Sequence, residues 1–355
     1  MYMREFTAYD LIIDARSPRE FAQDHIPGAV NMPVANDDEY AEVGTLHRTD
    51  KMGAYRLGVR YSLRNIERHL AEDFPKYGDR LHILVYCFRG GKRSKLWTDA
   101  LETIGYKVEK LHGGWKAYRR WVNDQLTEVP TRYRYNVLSG PTGCGKTRLL
   151  YALRCAGAQV LDLEEIASHR GSVLGYVPGK SQPSQKYFDS ILLRQLSSFD
   201  PARPIWVEAE SKKIGNVQLP NALLETMRAG STIQVETEMQ QRVSLWRQDY
   251  HHFEENPLGM LDLLKFLRPL VGGEEFAAWE ALAKQSQMPE LFERLMLNHY
   301  DPAYRRSILR NYPAIDASPS VALHDLSTAG LLSVAESMRK SFESTLTSMP
   351  LNLAH

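Results

Sequence analysis

The sequence predicts an α/β protein made of two parallel-sheet domains and an all-α C-terminal region. Short apolar runs alternate with helical patterns up to Trp121, the alternation starts again at Tyr133, and only helical spacing is found from Trp246 onward. Strands that alternate with helices are typical of a parallel sheet with helices on its faces. The predicted parts are a first domain over 1–125, a linker over 126–131, a second α/β domain over 132–245 and a helical region over 246–355.

Two short apolar runs and two stretches of helical spacing predict the first domain. Leu11–Asp14 and His82–Tyr86 are apolar and bounded by polar residues, as buried strands are. Apolar residues recur at helical spacing in Val59–Asp73 and Ser94–Ile104, which predicts helices. A third strand at Lys107–Leu111, followed by a helix, completes the domain. We therefore expect a parallel sheet here.

The second domain repeats this alternation, whereas the C-terminal region does not. The predicted strands are Tyr133–Leu138, Ala158–Leu163, Pro204–Glu208 and Ile233–Val235, with a helix at Lys146–Cys155. Helical spacing in the C-terminal region is found at Leu261–Leu267, Phe276–Ala283, Met288–Leu297, Tyr304–Asn311 and Ala329–Phe342. We expect an open α/β sheet followed by helices only.

Composition places the chain among ordinary globular proteins. It has 355 residues, of which 43% are apolar and 25% charged, and no apolar stretch approaches the about 18 residues that a membrane-spanning helix needs. Its first residues lack the order of a signal peptide. The three cysteines, Cys87, Cys144 and Cys155, show no spacing typical of a disulfide framework or a zinc site. We therefore expect a cytoplasmic protein that does not contact a membrane.

Positive charge is concentrated near two segments, although the formal net charge is only +1. Between Cys87 and Arg120 there are nine Lys or Arg against three acidic residues, and from Glu128 to Arg154 there are five against one. Clustered cations can hold the phosphates of a nucleic acid, or they can form a solvated surface. The charge pattern alone favours neither.

The cysteine at the end of the second predicted strand is followed by glycines, cations and a helix. Glycines let the backbone curl so that N–H groups point inward, and the next helix adds its positive N-terminal end. Together with the cations, these groups favour the thiolate over the thiol. We predict that Cys87 is a catalytic nucleophile that carries a chalcogen anion. The loop predicted to hold that anion contains Arg89, Gly90, Gly91, Lys92, Arg93 and Ser94.

Residues 140–147 match the pattern G-x-x-x-x-G-K-[ST] between a predicted strand and a predicted helix, which is the context that a Walker A motif, or P-loop, requires. The backbone N–H groups of such a loop bind the oxygens of a di- or triphosphate, the lysine neutralises their charge, and the hydroxyl residue can bind Mg²⁺. We interpret Cys144, inside the loop, as a space-filling residue. The predicted diphosphate-binding residues are Gly140, Gly143, Gly145, Lys146 and Thr147, with Thr147 as the residue that can hold Mg²⁺.

Acidic strand ends and a long polar segment supply further candidates. Glu208 and Glu210 follow an apolar strand as in a Walker B motif, with Glu where Asp is usual, and they can hold a metal, activate water or cap a turn. Asp162 ends the preceding predicted strand. The long polar segment, which runs from His169 to Gln185, can contact RNA phosphates and base edges, or it can be an ordinary surface loop. Its candidate residues are His169, Arg170, Gln182 and Gln185.

The first domain resembles the rhodanese family of sulfurtransferases. Beside the cysteine loop, the resemblance rests on Asp14–Arg16 at the end of the first strand, His25–Ala29 after the first helix and Leu111–Gly114 before the last helix. One residue more than is common in rhodanese loops separates Gly90 from Arg93. A loop enlarged in this way could accept a larger atom or group than sulfur.

Over nearly its whole length the chain resembles the tRNA 2-selenouridine synthase family. The resemblance rests on the order of the rhodanese-like and P-loop parts and on the segments His169–Ser172, Gln182–Gln185, Glu208–Gly215 and His299–Tyr304. It implies an enzyme that replaces sulfur by selenium in 2-thiouridine at the wobble position of tRNA. Selenophosphate would be the selenium donor, and geranyl diphosphate would form an S-geranyl-2-thiouridine intermediate. The implied partners are tRNA and an enzyme that supplies selenophosphate.

Two other functions fit the same motifs. One is an ATP-coupled sulfurtransferase that acts on a protein or a small molecule, turns over nucleotide and is indifferent to tRNA. The other is a non-catalytic, nucleotide-responsive regulator with a rhodanese-like part. The motifs leave open whether the P-loop holds geranyl diphosphate or a nucleotide, and whether ATP or Mg²⁺ takes part.

Overall fold

The computed structural model describes residues 3–172 and 174–344, and the chain divides into two compact units. These units are the residues up to Val129 with Pro183–Ser198, and Pro130–Gln182 with the residues from Phe199 onward. The first unit therefore includes Pro183–Ser198, although in the sequence this segment lies between two parts of the second unit. Among the described residues, no helix combines the length and the apolar character needed to cross a membrane.

The first unit contains a four-stranded parallel sheet in the order β2-β1-β3-β4. Its strands are β1 (Leu11–Asp14), β2 (Val30–Asn31), β3 (His82–Tyr86) and β4 (Lys107–Lys110). Its helices are α1 (Pro18–Gln23), α2 (Asp37–Leu46), α3 (Lys51–Glu72), α4 (Lys92–Ile104), α5 (Gly114–Glu128) and, later in the chain, α8 (Gln185–Ser198), with 3₁₀ turns at Met3–Ala8 and Phe74–Lys76. The three strands predicted for this domain are confirmed, whereas α2, the first half of α3 and α8 are additions to the predicted helices.

The register of this sheet brings the ends of β1 and β3 together. Asp14 lies opposite Tyr86, so the chain leaves both strands at one edge, where Arg16 and Cys87 follow. Apolar side chains of both strands pack with Trp97 of α4 in a buried cluster. Ligands usually bind at the carboxyl edge of a parallel sheet. In this unit, that edge carries the cysteine loop.

Helix α8 belongs to the first unit although it follows the P-loop in the sequence. Asp189 of α8 forms an ion pair of 2.9 Å with Arg119 of α5, and Ser190 donates a hydrogen bond of 2.9 Å to the buried Asp24. The chain between the two units is helical as well, because α5 ends at Glu128 and a 3₁₀ turn, Val129–Arg132, follows. The predicted linker therefore has regular structure.

The second unit contains a five-stranded parallel sheet in the order β11-β10-β5-β7-β6. Its strands are β5 (Tyr135–Ser139), β6 (Gln159–Leu161), β7 (Ile205–Glu208), β10 (Ser231–Glu236) and β11 (Ser320–Ala322), beside a small antiparallel pair, β8 (Lys213–Ile214) and β9 (Val217–Gln218). The helices are α6 (Lys146–Cys155), α7 (Leu163–Ala167), α9 (Asn221–Arg228), α10 (Met239–Asp249), α11 (His251–Glu255), α12 (Pro257–Leu264), α13 (Arg268–Val271), α14 (Gly273–Lys284), α15 (Met288–Leu295), α16 (Asp301–Asn311) and α17 (Thr328–Ser344). Short 3₁₀ turns at Lys265–Leu267 and Ile315–Ala317 and a π-helical turn at Met296–Tyr300 connect them.

The predicted open α/β arrangement is confirmed, and the C-terminal region is helical except at one point. The expectation of helices only is wrong at β11, which extends the sheet by pairing Val321 with Val235 of β10. A three-residue strand is too short to show a periodicity. This strand is also stabilised by pairing with β10, which lies far away in the sequence. Helices α10 to α15 pack around Trp246, Trp279 and Phe292 in a core of their own, whereas α17 packs with α6 against the sheet.

Candidate functional site

The Cys87 sulfur lies in a polar cradle made by its own loop. Sγ accepts a hydrogen bond of 3.2 Å from the Gly91 N–H and lies 3.3 Å from Oγ of Ser94. Burial alone would raise the pKa of the thiol, which is only 2% exposed. The hydrogen bonds from Ser94 and Gly91 and the charge of Arg93 outweigh burial, so the pKa of Cys87 is lowered. The loop therefore favours a thiolate, which is the nucleophilic form.

A second loop holds the cysteine loop in this shape. The amides of Trp115 and Lys116 donate to the carbonyls of Cys87 and Phe88 at 2.8 and 2.9 Å. Gly114 has φ 58°, and a Cβ on it would clash with the Cys87 carbonyl oxygen. Only glycine permits both the left-handed backbone and this close approach. The paired glycines before α5 are thus part of the site.

The three cations predicted around the thiolate are placed differently. Arg93 forms an ion pair of 2.6 Å with Glu20, and its charge lowers the pKa of Cys87. Nζ of Lys92 lies 3.7 Å from the centre of the Tyr55 ring, and the Arg89 guanidinium lies over the neighbouring Phe88 ring. Arg93 is therefore the cation tied most directly to the sulfur.

Behind the loop, charged groups form a buried network. Arg16 binds both carboxylate oxygens of Asp14 and donates a hydrogen bond of 2.6 Å to the Asp24 carbonyl. The Asp24 carboxylate accepts from Trp115 Nε1 at 2.8 Å and from Ser190 at 2.9 Å. Breaking one partner of a buried network leaves an uncompensated charge. These residues therefore fix the strand ends on which the cysteine loop stands.

In the second unit, residues 140–147 form a glycine-rich turn between β5 and α6, as predicted. Gly140, Gly143 and Gly145 all have positive φ, and a Cβ on Gly140 would come within 2.6 Å of Cys144 Sγ and the Val235 carbonyl. Cys144 is fully buried inside the loop, as its interpretation as a space-filling residue requires. The amides at the start of α6 are thereby available to a phosphate.

Lys146 lies across its own loop. Its ammonium donates to the carbonyl of Gly140 at 2.9 Å and to that of Pro141 at 3.3 Å. Burial would lower the pKa of Lys146, but the surrounding acidic groups, Glu208 among them, raise it above the ordinary value. The lysine therefore stays charged and is positioned to neutralise a phosphate at the loop.

Beside the lysine, Glu164, Glu208 and Glu210 each present a carboxylate oxygen, and these oxygens lie within 4.8 Å of one another. Thr147 Oγ1 donates a hydrogen bond of 2.7 Å to Glu208. Burial, followed by mutual repulsion for Glu164 and Glu210, raises the pKa of these carboxyls, that of Glu210 to about 8. Carboxylate and hydroxyl oxygens are the ligands that Mg²⁺ and Ca²⁺ prefer. The donor set fits such a cation.

Glu164 is a member of this cluster that the sequence pattern does not reveal. The predicted candidate was Asp162, whose carboxylate instead accepts a hydrogen bond of 2.8 Å from the Glu165 N–H and caps α7. The first turn of α7 then brings Glu164 toward the strand end that carries Glu208. An acid two residues beyond a capping aspartate is the only local signal for this position.

A cavity of about 410 Å³ opens above the P-loop. Lys146, Thr147 and the three glutamates line its polar side. Its other walls come largely from the helical region and combine polar residues with an aromatic and apolar part, which includes Leu245, Trp246, Tyr250, Tyr300, Ile308 and Tyr312. The cavity can therefore take a molecule with an anionic end and an apolar end.

Tyr304 joins the helical region to the P-loop. Its hydroxyl accepts a hydrogen bond of 2.6 Å from the Gly140 N–H and donates one of 2.9 Å to Ser139 Oγ. Burial raises the pKa of this hydroxyl, which therefore remains protonated as a donor. The segment His299–Tyr304 carries part of the family resemblance, but its sequence does not reveal this contact with the P-loop.

The polar segment is divided by the structure. Arg170 lines the cavity, stacks on Tyr250 at 5.0 Å and donates a hydrogen bond to the Asp249 carbonyl, whereas Nδ1 of His169 is buried without a hydrogen-bond partner in the described part of the chain. The amide of Gln182 binds the carbonyls of Ala167 and Ile214 at 3.1 and 3.2 Å. Gln185 begins α8 in the first unit and donates to Asp189 at 2.8 Å. Only Arg170 of the four candidates faces the cavity, and a role in RNA contact stays a prediction for all four.

Comparison with known proteins matches both parts of the chain. The rhodanese-like domain family matches residues 3–120, and the family described as the tRNA 2-selenouridine synthase AAA domain matches residues 133–258. The chain is 31% identical over 337 residues to the tRNA 2-selenouridine synthase of Hydrogenovibrio crunogenus, a match that covers 86% of this chain and 91% of the relative. The synthase of Hahella chejuensis is 33% identical, with 87% and 84% covered, and that of Chromohalobacter salexigens is 32% identical, with 88% and 90% covered.

Proposed function

The chain belongs to the tRNA 2-selenouridine synthase family, and on that basis we propose that it replaces sulfur by selenium in 2-thiouridine at the wobble position of tRNA. The family membership makes it an enzyme, a transferase that uses a selenium donor. The proposed donor is selenophosphate, and the proposed route passes through S-geranyl-2-thiouridine formed from geranyl diphosphate. The supporting observation is one chain that combines a cysteine of lowered pKa with a phosphate-binding loop under an amphipathic cavity.

In the proposed first step, the P-loop holds the diphosphate of geranyl diphosphate. The sulfur of 2-thiouridine attacks the first carbon of the geranyl chain, the carbon–oxygen bond breaks, and the diphosphate leaves with the bonding electrons. Lys146 and the loop amides stabilise the charge of the leaving group. The apolar wall that includes Trp246 and Ile308 can hold the hydrocarbon chain.

A divalent cation would strengthen the hold on the diphosphate. Thr147, Glu164, Glu208 and Glu210 offer oxygen ligands close to the P-loop lysine, and Mg²⁺ would supply charge neutralisation for the departing diphosphate. Without a cation, the raised pKa values mean that bound protons neutralise part of the negative charge of the three carboxyls. The use of Mg²⁺, like that of ATP, is a proposal that binding measurements can decide.

In the proposed second step, Cys87 delivers selenium within its loop. Its thiolate attacks the phosphorus of selenophosphate, the phosphorus–selenium bond breaks and selenide is released, and water later takes the phosphoryl group from the sulfur as phosphate. Alkylation has turned the base sulfur into a thioether, which leaves the ring carbon more readily than a free thiolate-like sulfur does. Selenide then bonds to that carbon while the carbon–sulfur bond breaks and geranyl thiolate departs. The Gly91 amide, the Ser94 hydroxyl and Arg93 can stabilise the selenide anion as they do the thiolate.

The two rival functions predict different products. An ATP-coupled sulfurtransferase would consume nucleotide and leave tRNA unchanged. A nucleotide-responsive regulator would change neither the nucleotide nor the tRNA. A cytoplasmic location, where tRNA is modified, and a selenophosphate-supplying enzyme as partner stay predictions.

The test is mass spectrometry of tRNA nucleosides after incubation of the purified protein with 2-thiouridine-containing tRNA. With geranyl diphosphate alone we expect S-geranyl-2-thiouridine, and with selenophosphate added we expect 2-selenouridine. Release of ADP or GDP with unchanged nucleosides would contradict the proposal and favour the sulfurtransferase.

A further inference from the structure

Helix α3 carries a row of arginines that none of the steps above uses. Its members occur every fourth residue and all are exposed: Arg56, Arg60, Arg64 and Arg68. Residues four apart lie on one face of a helix, about 6 Å from one another along its axis. We call this set the arginine row.

The arginine row is unfavourable for the helix that carries it. Like charges at i and i+4 destabilise a helix, whereas a solvated face usually alternates Glu with Lys or Arg at this spacing. Arg64 is paired with Glu39 of α2. Within the described part of the chain, Arg56, Arg60 and Arg68 have no carboxylate at ion-pair distance. The row therefore needs an explanation other than the stability of α3.

An apolar row runs beside the arginine row. Met52, Tyr55, Val59 and Leu63 are spaced three or four residues apart on α3, and each is between 43% and 60% exposed. Tyr55, Val59 and Leu63 each directly precede an arginine. Cations that follow a phosphate backbone, next to aromatic or apolar side chains on which bases stack, are how proteins hold single-stranded nucleic acid.

Both rows begin beside the cysteine loop. Nζ of Lys92, in that loop, lies 3.7 Å from the centre of the Tyr55 ring, and the Arg93 guanidinium lies over Tyr40 of α2 at 5.2 Å. A strand of RNA that follows α3 would therefore pass directly from the arginine row to the loop that holds Cys87.

We propose that this face of α3 binds the backbone of the anticodon arm of tRNA and guides its single-stranded loop to Cys87. The inference rests on the proposed function, since it takes tRNA as the substrate, and it adds where on the first unit the substrate is held. The match is one of charge, because a line of guanidinium groups, of which only that of Arg64 is paired with a carboxylate in the described part of the chain, would face a line of phosphates.

The test is the triple variant R56Q/R60Q/R68Q, which keeps Arg64 because of its contact with Glu39. Binding of 2-thiouridine-containing tRNA is followed by fluorescence anisotropy over a range of salt concentrations. We expect the dissociation constant to rise about tenfold or more at about 0.1 M salt, and the slope of log K against log salt to fall by about 2 to 3 units. The triple lysine variant, which keeps the charges, should retain most of the binding.

A matched control removes the same charge from the second unit. Arg268, Lys284 and Arg310 are exposed cations of the helical region, and their triple glutamine variant should bind tRNA with the wild-type salt slope. The thermal midpoint of R56Q/R60Q/R68Q should not be lowered, because like-charge repulsion is removed.

Three results would overturn the proposal in different ways. If wild-type protein binds tRNA and R56Q/R60Q/R68Q binds it equally, with an unchanged slope, the inference is wrong and the proposed function stands. If the variant keeps tRNA binding but loses binding to phosphatidylglycerol vesicles, the row faces a lipid surface instead. If wild-type protein has no affinity for tRNA, both the inference and the proposed function are wrong.

Discussion

The cysteine loop and the P-loop follow one building plan and differ in the space that they leave for a ligand. Each leaves a buried parallel strand and reaches the N-terminus of a helix through a glycine-containing turn, with positive φ at Gly90 in the first and at Gly140, Gly143 and Gly145 in the second. In the first, the sulfur of Cys87 fills the cradle itself and is 2% exposed. In the second, the amides face a cavity of about 410 Å³ with carboxylates on one side and aromatic rings on the other.

This difference separates two kinds of anion chemistry. A cradle filled by the sulfur of Cys87 suits chemistry in which that sulfur forms a covalent bond. One amide and one hydroxyl stabilise the sulfur anion whether or not a substrate is bound. An open loop suits a ligand that arrives and leaves as a whole, because its charge must be neutralised only while it is bound. The following changes should affect one loop and spare the other.

The largest effect is expected for Cys87→Ser. A serine hydroxyl stays protonated and is a far weaker nucleophile than a thiolate, so formation of 2-selenouridine should fall by about a thousandfold or more. Formation of S-geranyl-2-thiouridine should continue at the P-loop, so that this nucleoside accumulates. Quantitative nucleoside mass spectrometry checks both. Cys155→Ser, at an exposed cysteine, is the matched control and should behave as wild type; equal loss in both variants would contradict a special role of Cys87.

Lys146→Ala should act on the other loop. Loss of charge-assisted hydrogen bonds to the diphosphate should weaken binding of geranyl diphosphate roughly tenfold to a hundredfold, as measured by titration calorimetry. The reactivity of Cys87 toward iodoacetamide should not change, since the cysteine loop is intact. Lys284→Ala provides an exposed lysine as control. Unchanged binding of geranyl diphosphate by Lys146→Ala would show that the P-loop does not hold the diphosphate.

Gly114→Ala should disturb the cysteine loop without touching its reactive groups. A Cβ at φ 58° meets the Cys87 carbonyl, so we expect a loss of about 1 to 3 kcal/mol in the free energy of unfolding and slower thiol alkylation. Gly44→Ala, at a helical glycine with nothing within 4 Å of the new methyl group, should be neutral or stabilising. Denaturant titration compares them, and equal stability of the two variants would show that the close approach is unimportant.

The smallest expected effect is on the pH dependence of stability. Burial and the charge of Glu208 raise the pKa of Glu210 from its ordinary value of 4.5 to about 8. Between these values the folded protein binds more protons than the unfolded chain, so the free energy of unfolding falls as pH rises through this window. Glu210→Gln should flatten the fall of the thermal midpoint from about pH 5 to about pH 9, and Mg²⁺ should reduce it in the wild type.

Glu102→Gln, at an exposed carboxyl on α4, should leave the wild-type profile unchanged. A Glu210→Gln profile that coincides with the wild-type one would show that the carboxylate cluster does not titrate in this window. An unchanged wild-type profile on addition of Mg²⁺ would argue against a cation at the cluster.

Elements determined by local sequence could be predicted, whereas those determined by contacts between distant parts of the chain could not. The strand before Cys87, the P-loop and helix α6 are confirmed, because local periodicity and glycine spacing determine them. The place of α8 in the first unit does not follow from the sequence, because its partner, α5, lies far away in the chain and the neighbouring segments belong to the other unit. The sequence does not distinguish Asp162 from Glu164 as the cluster member, because a capping and a ligating carboxylate look alike at a strand end.

The aromatic wall of the cavity could not be predicted either. Its residues come from α10, α16, the positions that directly follow these two helices, and a π-helical turn. Their spacing in the sequence is that of ordinary core positions. Their common orientation toward the P-loop appears only when the helices are packed. This wall nevertheless supports a ligand of the P-loop that has an apolar or aromatic part beside its diphosphate.

The most direct measurement of the central claim is a crossed assay with two tRNA substrates and two variants, analysed by nucleoside mass spectrometry. If the two loops serve successive steps, Cys87→Ser converts 2-thiouridine to its S-geranyl form but cannot use S-geranylated tRNA. Lys146→Ala then shows the reverse, converting supplied S-geranylated tRNA to 2-selenouridine with selenophosphate while failing to geranylate. Failure of both variants on both substrates, or selenouridine formation by Cys87→Ser at the wild-type rate, would contradict the assignment of one step to each loop.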